Sequence, residues 1–133
     1  MAQLRNTRQR RLVLDAVRAR CDHPSAEDIC ADVRAADAHI SRGTVYRNLN
    51  ILARGGDILH VKVPGVDRFD RRTQLHYHLL CTGCGKLTDV PAPYDASLDE
   101  ALAAGTGYRV ARHRMLFEGL CPDCQAARRP DEK

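Results

Sequence analysis

Four cysteines in the second half of the chain are arranged as two pairs. They are Cys81 and Cys84 in a CTGC segment, and Cys121 and Cys124 in a CPDC segment, with 36 residues between the pairs. Two thiolates separated by two residues can bind one edge of a tetrahedral metal ion, and Gly83 and Gly85 permit the tight turn that points backbone amides at sulfur. We therefore predict one closed structural Zn(II) site on all four cysteines. Two redox-active CxxC motifs are the alternative, but no thioredoxin-like βαβ pattern surrounds either pair.

A histidine pair comes just before the first cysteine pair. His76 and His78 lie two residues apart in a strand-like segment, so both imidazoles should project from the same face. Asp70 precedes them, and Asp89 lies in the predicted strand KLTDV, which can return to their neighbourhood. An HxH pair on a surface strand is usually incidental, but the two carboxylates and the adjacent zinc site favour a second metal site. Imidazole and carboxylate ligands suit Fe(II), Mn(II) or Zn(II), and they do not select Cu(I).

Two amphipathic helices are predicted at the start of the chain. Asn6 or Thr7 can cap the first helix, and Ser25 can cap the second helix in a capping-box variant with Asp28. The first helix has Leu12, Ala16 and Val17 on its apolar face and Arg8, Arg11 and Arg18 on its basic face, whereas the second helix turns Ile29, Cys30 and Val33 inward. Cys21 and Cys30 lack metal-ligand spacing, and we expect them to be core or loop thiols.

A third helix has the side chains that a reader of DNA sequence requires. It begins at Ser41, places Val45, Leu49 and Leu52 inward, and ends at Gly55 and Gly56. Its outward side chains are Arg42, Thr44, Tyr46, Arg47 and Asn50. They offer donors and acceptors for base edges beside cations for phosphates, although an ordinary amphipathic helix with a solvated face has the same pattern.

The segment after the third helix is predicted to be one strand of a half-exposed hairpin. In DILHVKV the residues Ile58, His60 and Lys62 alternate with Leu59, Val61 and Val63. Together with the basic first helix, this strand favours a winged helix-turn-helix.

Composition and charge indicate two small modules and not one large enzyme. The chain has 133 residues, of which 44% are hydrophobic. Residues 1–63 carry 11 Lys and Arg against 7 Asp and Glu, whereas residues 64–133 carry 10 of each. All of the net charge of +4 therefore lies in the N-terminal half, as a phosphate-facing module requires. Pro64 and Gly65 mark the expected boundary, with a DNA-binding domain at 1–65 and a metal-binding domain at 66–133.

The expected compartment is the cytoplasm. No stretch approaches the roughly 18 apolar residues of a membrane span, and the basic start runs into a helical pattern and not into a signal-peptide core. In the cytoplasm, six cysteines favour a metal site or reactive thiols over disulfides.

The motifs together resemble the ferric uptake regulator family of metal-dependent repressors. The segments that carry the resemblance are HPSAEDI, SRGTVYRNLNIL, HYHLLCTGCGK and CPDC, in that order, and they cover essentially the whole chain. The resemblance implies an α+β protein with a winged-helix N-terminal domain, a small α/β domain that forms a homodimer, and a structural zinc on the four cysteines. It also implies a regulatory metal at the joint between the domains and adds His23 as a ligand. The implied regulatory set is His23, Asp70, His76, His78 and Asp89.

Within this family the aspartates favour the peroxide-responsive repressors. Iron sensors usually carry Glu at the positions of Asp70 and Asp89, whereas peroxide-responsive members carry Asp at both. A further metal site of many iron sensors is largely missing, because Leu75 and Tyr77 stand where a His and an acidic residue are expected, although His113 remains.

The resemblance implies a transcriptional repressor that is not an enzyme and has no membrane partner. It would bind double-stranded operator DNA as an Fe(II)- or Mn(II)-loaded homodimer. Peroxide, its small-molecule signal, would release it through iron-catalysed oxidation of His23 or His76.

Other functions remain open at this point. Within the family, the chain could regulate iron, zinc or manganese uptake. A non-haem iron oxygenase could use His76, His78 and Asp70 as a face of two histidines and one carboxylate, but no span is left for a substrate pocket. A zinc-knuckle interaction module would bind DNA regardless of a regulatory metal.

Overall fold

The computed structural model describes residues 2–127, and within this range the chain divides into two compact units between Gln74 and Leu75. The helices are α1 (Ala2–Arg18), α2 (Ala26–Ala36), α3 (Arg42–Arg54), α4 (Ala96–Thr106) and α5 (Pro122–Ala127). The strands are β1 (Leu59–Val61), β2 (Arg68–Asp70), β3 (His78–Cys81), β4 (Leu87–Asp89) and β5 (Leu116–Gly119). No helix in this part of the chain is long and apolar enough to cross a membrane.

The first unit packs α1, α2 and α3 around one apolar core, with an antiparallel hairpin beside them. Its buried side chains come from all three helices and from the hairpin, and they include Val13, Val17, Ile29, Val33, Val45, Leu49, Leu52, Ile58 and Phe69. Burial of each such side chain contributes roughly 1.5–3 kcal/mol to folding. Arg8, Arg11 and Arg18 stay exposed on α1, which confirms the predicted basic face.

Two serine caps set the start of the second and third helices. Ser25 Oγ accepts a hydrogen bond from the Asp28 amide at 3.1 Å, and the Asp28 carboxylate accepts one from the Ser25 amide at 3.0 Å. This is the reciprocal capping box that the sequence predicts. Ser41 Oγ accepts from the Thr44 amide at 3.1 Å. Because the cap fixes where α3 begins, it also fixes which of its side chains face outward.

Two local predictions for the first unit were wrong. Because α1 begins at Ala2, Asn6 and Thr7 lie inside the helix and not at its cap. The residues that precede them include good helix formers, so the helix continues past a weak cap signal. The predicted alternation also fails at Ile58, which is fully buried, as Val61 and Val63 nearly are. Ile58 precedes β1 and packs into the helical core.

The observed boundary between the units lies after the hairpin, later in the chain than expected. β1 pairs antiparallel with β2, with His60 opposite Phe69. The boundary expected after Gly65 therefore falls inside the loop of this hairpin, whereas the first compact unit extends to Gln74.

The second unit contains a mixed sheet in the order β4-β3-β5. β3 runs antiparallel to β4, with His78 opposite Asp89, and parallel to β5. The chain between β4 and β5 includes α4, which Asp95 caps and Gly107 ends in a left-handed conformation. One end of β3 thus carries the histidine pair, and the other end carries Cys81. The predicted α+β fold class is confirmed.

Candidate metal centres and DNA-binding face

The four paired cysteines converge in the second unit. The sulfur atoms of Cys81, Cys84, Cys121 and Cys124 lie within 4.8 Å of one another. The Sγ atoms of Cys84 and Cys121 are 3.9 Å apart. Four sulfurs bound tetrahedrally to zinc at 2.3 Å would be about 3.8 Å apart. The cluster therefore fits a zinc ion with little rearrangement.

Backbone amides point at the sulfurs of this cluster. The amides of Cys121 and Cys84 donate to Cys81 Sγ at 3.3 and 3.4 Å, and together they lower the pKa of the Cys81 thiol to about 6. The neighbouring Cys81 and Cys121 sulfurs raise the pKa of Cys124 to about 12. One thiolate thus forms readily, but four together need a compensating cation.

Two glycines shape the loop that follows Cys81. Gly85 has a φ of 78°, and its amide donates to the Cys81 carbonyl at 2.8 Å, in line with the predicted tight turn. Gly83 is needed for a second reason, because a Cβ there would lie 3.0 Å from Cys124 Sγ and 3.2 Å from Leu120 Cδ2. The loop can approach the second cysteine pair because it carries no side chain at this point.

Two imidazoles and a carboxylate meet near the start of β3, also within the second unit. His76 Nε2 is 3.1 Å and His78 Nε2 is 3.6 Å from Asp89 Oδ1, and the two rings are 4.4 Å apart between centroids. The cross-strand register of β3 and β4 places Asp89 beside His78. Both histidines are buried, whereas the Asp89 side chain is 34% exposed. These donors suit a divalent metal such as Fe(II), Mn(II) or Zn(II).

The first unit holds a second pair of this kind, formed by His23 and Asp70. His23 Nε2 lies 3.2 Å from Asp70 Oδ2, and both side chains are buried. His23 has a φ of 54°, a conformation that costs a non-glycine residue on the order of 1 kcal/mol or more. β2 holds this turn, because the Phe69 amide donates to the Pro24 carbonyl at 2.8 Å and Arg68 Nη1 donates to the His23 carbonyl at 3.2 Å. A strained backbone that keeps a buried imidazole beside a carboxylate is typical of a functional position.

A hydrogen-bonded network surrounds His113 and was not predicted from the sequence. Its Nδ1 is 2.8 Å from Asp99 Oδ1, and its Nε2 is 2.6 Å from the Tyr77 hydroxyl. The Tyr94 hydroxyl donates to Asp99 Oδ2, and the Tyr94 ring stacks on His113 with centroids 4.5 Å apart. The bonds from Tyr94 and then His113 lower the pKa of Asp99.

This network anchors Tyr77, the residue between His76 and His78. The Tyr77 hydroxyl also accepts a hydrogen bond from the Asp95 amide at the cap of α4, at 2.9 Å. Tyr77 alternates with His76 and His78 along the chain, so its contacts help to set the backbone from which both imidazoles project. The sequence shows that Tyr77 departs from the residue expected in iron sensors. It does not show the hydrogen-bond partners of Tyr77, Asp95 and His113, which lie 18 and 36 residues away.

The predicted DNA-binding residues of α3 lie on its outer face. Arg42, Thr44, Tyr46, Arg47 and Asn50 are all exposed or half-buried. Asn48, which was not predicted, is buried instead, donating to the Thr44 carbonyl at 2.9 Å and accepting from Arg10 Nε at 3.2 Å. This contact ties α3 to α1 and helps to hold the outer face in place.

Comparison with known proteins gives a consistent family. The sequence model of the ferric uptake regulator family matches residues 1–118. The peroxide operon regulator of Bacillus subtilis is 32% identical over 122 residues, which cover 91% of this chain and 84% of that protein.

Two solved structures are similar over most of the chain. The Campylobacter jejuni peroxide stress regulator has a TM-score of 0.76 at 25% identity, covering 92% of this chain and 93% of its own. The Helicobacter pylori ferric uptake regulator Fur, whose structure has three functional metal-binding sites, has a TM-score of 0.74 at 25% identity, covering 89% of this chain and 80% of its own. The chain therefore belongs to the ferric uptake regulator family, whose members are DNA-binding transcription regulators.

Proposed function

We propose that this chain is a metal-dependent transcriptional repressor that senses peroxide. The observation that carries the proposal is its donor chemistry, in which buried imidazoles lie beside aspartates at both carboxylate positions, His23 with Asp70 and His76 with Asp89. The relatives named as peroxide regulators support this choice within the family.

The proposed regulatory ligands come from both units. They are His23, Asp70, His76, His78 and Asp89. The family resemblance implies that all five serve one Fe(II) or Mn(II) ion. One ion bound by ligands from both units would favour the conformer in which all five ligands reach it. We propose that this conformer is the one that binds DNA. Fe(II) held by these residues would supply the electron that starts cleavage of the peroxide O–O bond, so that one peroxide oxygen could pass to an imidazole and the other leave as water, whereas Mn(II) would not readily do so.

Two of these ligands, His23 and His76, are the proposed oxidation-sensitive residues. Each ring lies beside an aspartate, at 3.2 Å for His23 and 3.1 Å for His76. An imidazole that has gained an oxygen atom is a poorer ligand. Oxidation of either ring would therefore remove the bias toward the DNA-binding conformer, and the operator would be released.

The four cysteines are proposed to hold a structural Zn(II). All four positions of a tetrahedral ion would be filled by sulfur, so no position stays open for peroxide. Their role would be to fix the end of β3 against the start of α5. The second unit would then provide the homodimer, which presents two α3 helices to double-stranded operator DNA in the cytoplasm.

A metal-dependent binding measurement tests the proposal. The full-length, zinc-bound protein is titrated onto a duplex that it has itself selected from a random pool, with Mn(II) or with a chelator. We expect Mn(II) to strengthen binding at least about tenfold, a coupling of about 1.4 kcal/mol. His76→Ala should remove this response, whereas His39→Ala, a change at an exposed histidine outside the proposed sites, should keep it. DNA binding that is indifferent to metal would refute the proposal and favour a zinc-knuckle interaction module.

An iron-uptake regulator is the second candidate. The Helicobacter pylori Fur structure is nearly as similar as the peroxide stress regulator, and the same donors would bind Fe(II) in either case. Treatment with peroxide distinguishes the two functions. A peroxide sensor should release its DNA, whereas an iron-uptake regulator should stay bound to DNA as long as Fe(II) remains in its site.

A further inference from the structure

Glu27 of α2 contacts two of the side chains proposed to bind DNA. Its carboxylate accepts a hydrogen bond from the Tyr46 hydroxyl at 2.5 Å and pairs with the Arg42 guanidinium. Arg42 Nη2 is 3.4 Å from the Tyr46 hydroxyl, and its Cζ lies 5.5 Å from the centre of the Tyr46 ring. The three side chains form one group, here called the Glu27 cluster.

Stability does not explain the Glu27 cluster. The side chains of Glu27 and Arg42 are 55% and 63% exposed, and an ion pair this exposed contributes about 0–1 kcal/mol. Glu27 is not needed to cap α2 either, because Ser25 and Asp28 form the complete capping box. What the cluster changes is the charge and the orientation of the DNA-facing side chains.

We infer that Glu27 is a specificity-determining residue of the DNA interface, an inference that rests on the proposed DNA-binding role of α3. By neutralising Arg42, it removes a cation that the phosphates of every sequence would attract equally. By accepting a hydrogen bond from the Tyr46 hydroxyl, Glu27 fixes the direction of the Tyr46 ring, which can then contact base edges in one orientation.

The Glu27 carboxylate also destabilises complexes in which the protein sits in the wrong register on DNA. A phosphate that approaches the start of α2 meets an unfavourable negative charge, so registers that bring the DNA backbone there are penalised. Arg47, which donates to Thr44 Oγ1 at 3.1 Å and is not part of the cluster, remains available as a phosphate ligand. The interface therefore binds DNA of random sequence more weakly and discriminates better between sequences.

The test compares two changes that remove the same charge from the same helix. Glu27→Gln keeps the shape of the side chain and removes its charge. Asp32→Asn is the matched control, because Asp32 is also an exposed acid on α2 but pairs with Arg20, at 3.0 Å, and not with α3. Tyr46→Phe removes the hydrogen bond and keeps the ring. Each full-length, Mn(II)-loaded protein is titrated onto a random duplex and onto a duplex selected by the parent, between about 50 and 200 mM salt.

Glu27→Gln should free one arginine per protomer for phosphate. The slope of log affinity against log salt on random DNA should then steepen by about 0.9 per protomer. Affinity for random DNA should rise on the order of tenfold per protomer at about 0.1 M salt. The freed arginine should raise affinity for the selected duplex as well, but the Tyr46 ring is no longer held in one direction, so the ratio of selected to random affinity should fall at least as far as in Tyr46→Phe. Tyr46→Phe should lower this ratio and leave the slope unchanged, and Asp32→Asn should change neither.

The inference is overturned if Glu27→Gln and Asp32→Asn change the slope and the ratio equally, because the effect is then one of general charge. It is also overturned if Glu27→Gln leaves both at the parent's values. A parent protein that shows no preference for any selected duplex would refute the proposed repressor function itself, and the inference with it.

Discussion

Replacing Gly83 by alanine tests the four-cysteine site without removing any cysteine. The new Cβ would lie 3.0 Å from Cys124 Sγ, 3.2 Å from Cys124 Cβ and 3.2 Å from Leu120 Cδ2. Favourable contacts of this kind are about 3.5–4.0 Å, so the loop or the Cys124 sulfur must move by a few tenths of an ångström. A well-formed zinc site tolerates about 0.2 Å of error in its ligand distances.

We therefore expect Gly83→Ala to weaken zinc binding about 10- to 100-fold, which corresponds to roughly 1.4–2.8 kcal/mol. The assay is competition for zinc between the protein and a chromophoric chelator, followed by thermal melting of the zinc-bound form. Gly119→Ala is the matched control, because Gly119 lies in β5 of the same unit and a Cβ there meets nothing within 4 Å. If Gly83→Ala keeps zinc as tightly as Gly119→Ala does, the cysteines do not form the compact site described above.

Three further changes test other parts of the account. Cys121→Ser should remove zinc and leave the protein insoluble or monomeric, because a structural zinc can contribute on the order of 10 kcal/mol to folding; a soluble dimer with the parent's melting temperature would contradict this role. Tyr77→Phe leaves His113 Nε2 and the Asp95 amide without their hydrogen-bond partner, so it should lower the free energy of unfolding by about 1–3 kcal/mol in denaturant melts. Tyr108→Phe is the control and should have no effect, because Tyr108 is 75% exposed. Asp89→Glu should keep metal-dependent repression but reduce peroxide oxidation, because the longer carboxylate can fill a further ligand position; equal oxygen gain on the peptides of both proteins, measured by mass spectrometry, would sink this idea.

Local signals allowed much of the first unit to be predicted. The caps at Ser25 and Ser41 and the apolar stripes behind them depend on residues a few positions apart, so their effect is visible in the sequence. The same holds for the paired cysteines, whose two-residue spacing is itself a chelate geometry. Where a local signal is weak it fails, as at Asn6 and Thr7, which lie inside α1.

Contacts between distant segments could not be predicted in this way. The bond between Glu27 and Tyr46 joins residues 19 positions apart and depends on how α2 packs against α3. The contacts of His113 with Tyr77 and Asp99 depend on the path of the chain from β4 to β5. In the sequence His113 stood out only as the remaining residue of a further metal site, but the network makes it an anchor for the segment that bears the histidine pair.

The most direct test of the central claim is peroxide release from DNA. The Fe(II)- and Mn(II)-loaded proteins are each bound to the selected duplex and given a brief pulse of hydrogen peroxide, and bound DNA and histidine oxidation are measured in the same samples. The account predicts that the Fe(II) form loses its DNA as a peptide containing His23 or His76 gains one oxygen, while the Mn(II) form keeps its DNA and its mass. Retention of DNA by the Fe(II) form, or its release without histidine oxidation, would contradict the claim that this repressor senses peroxide.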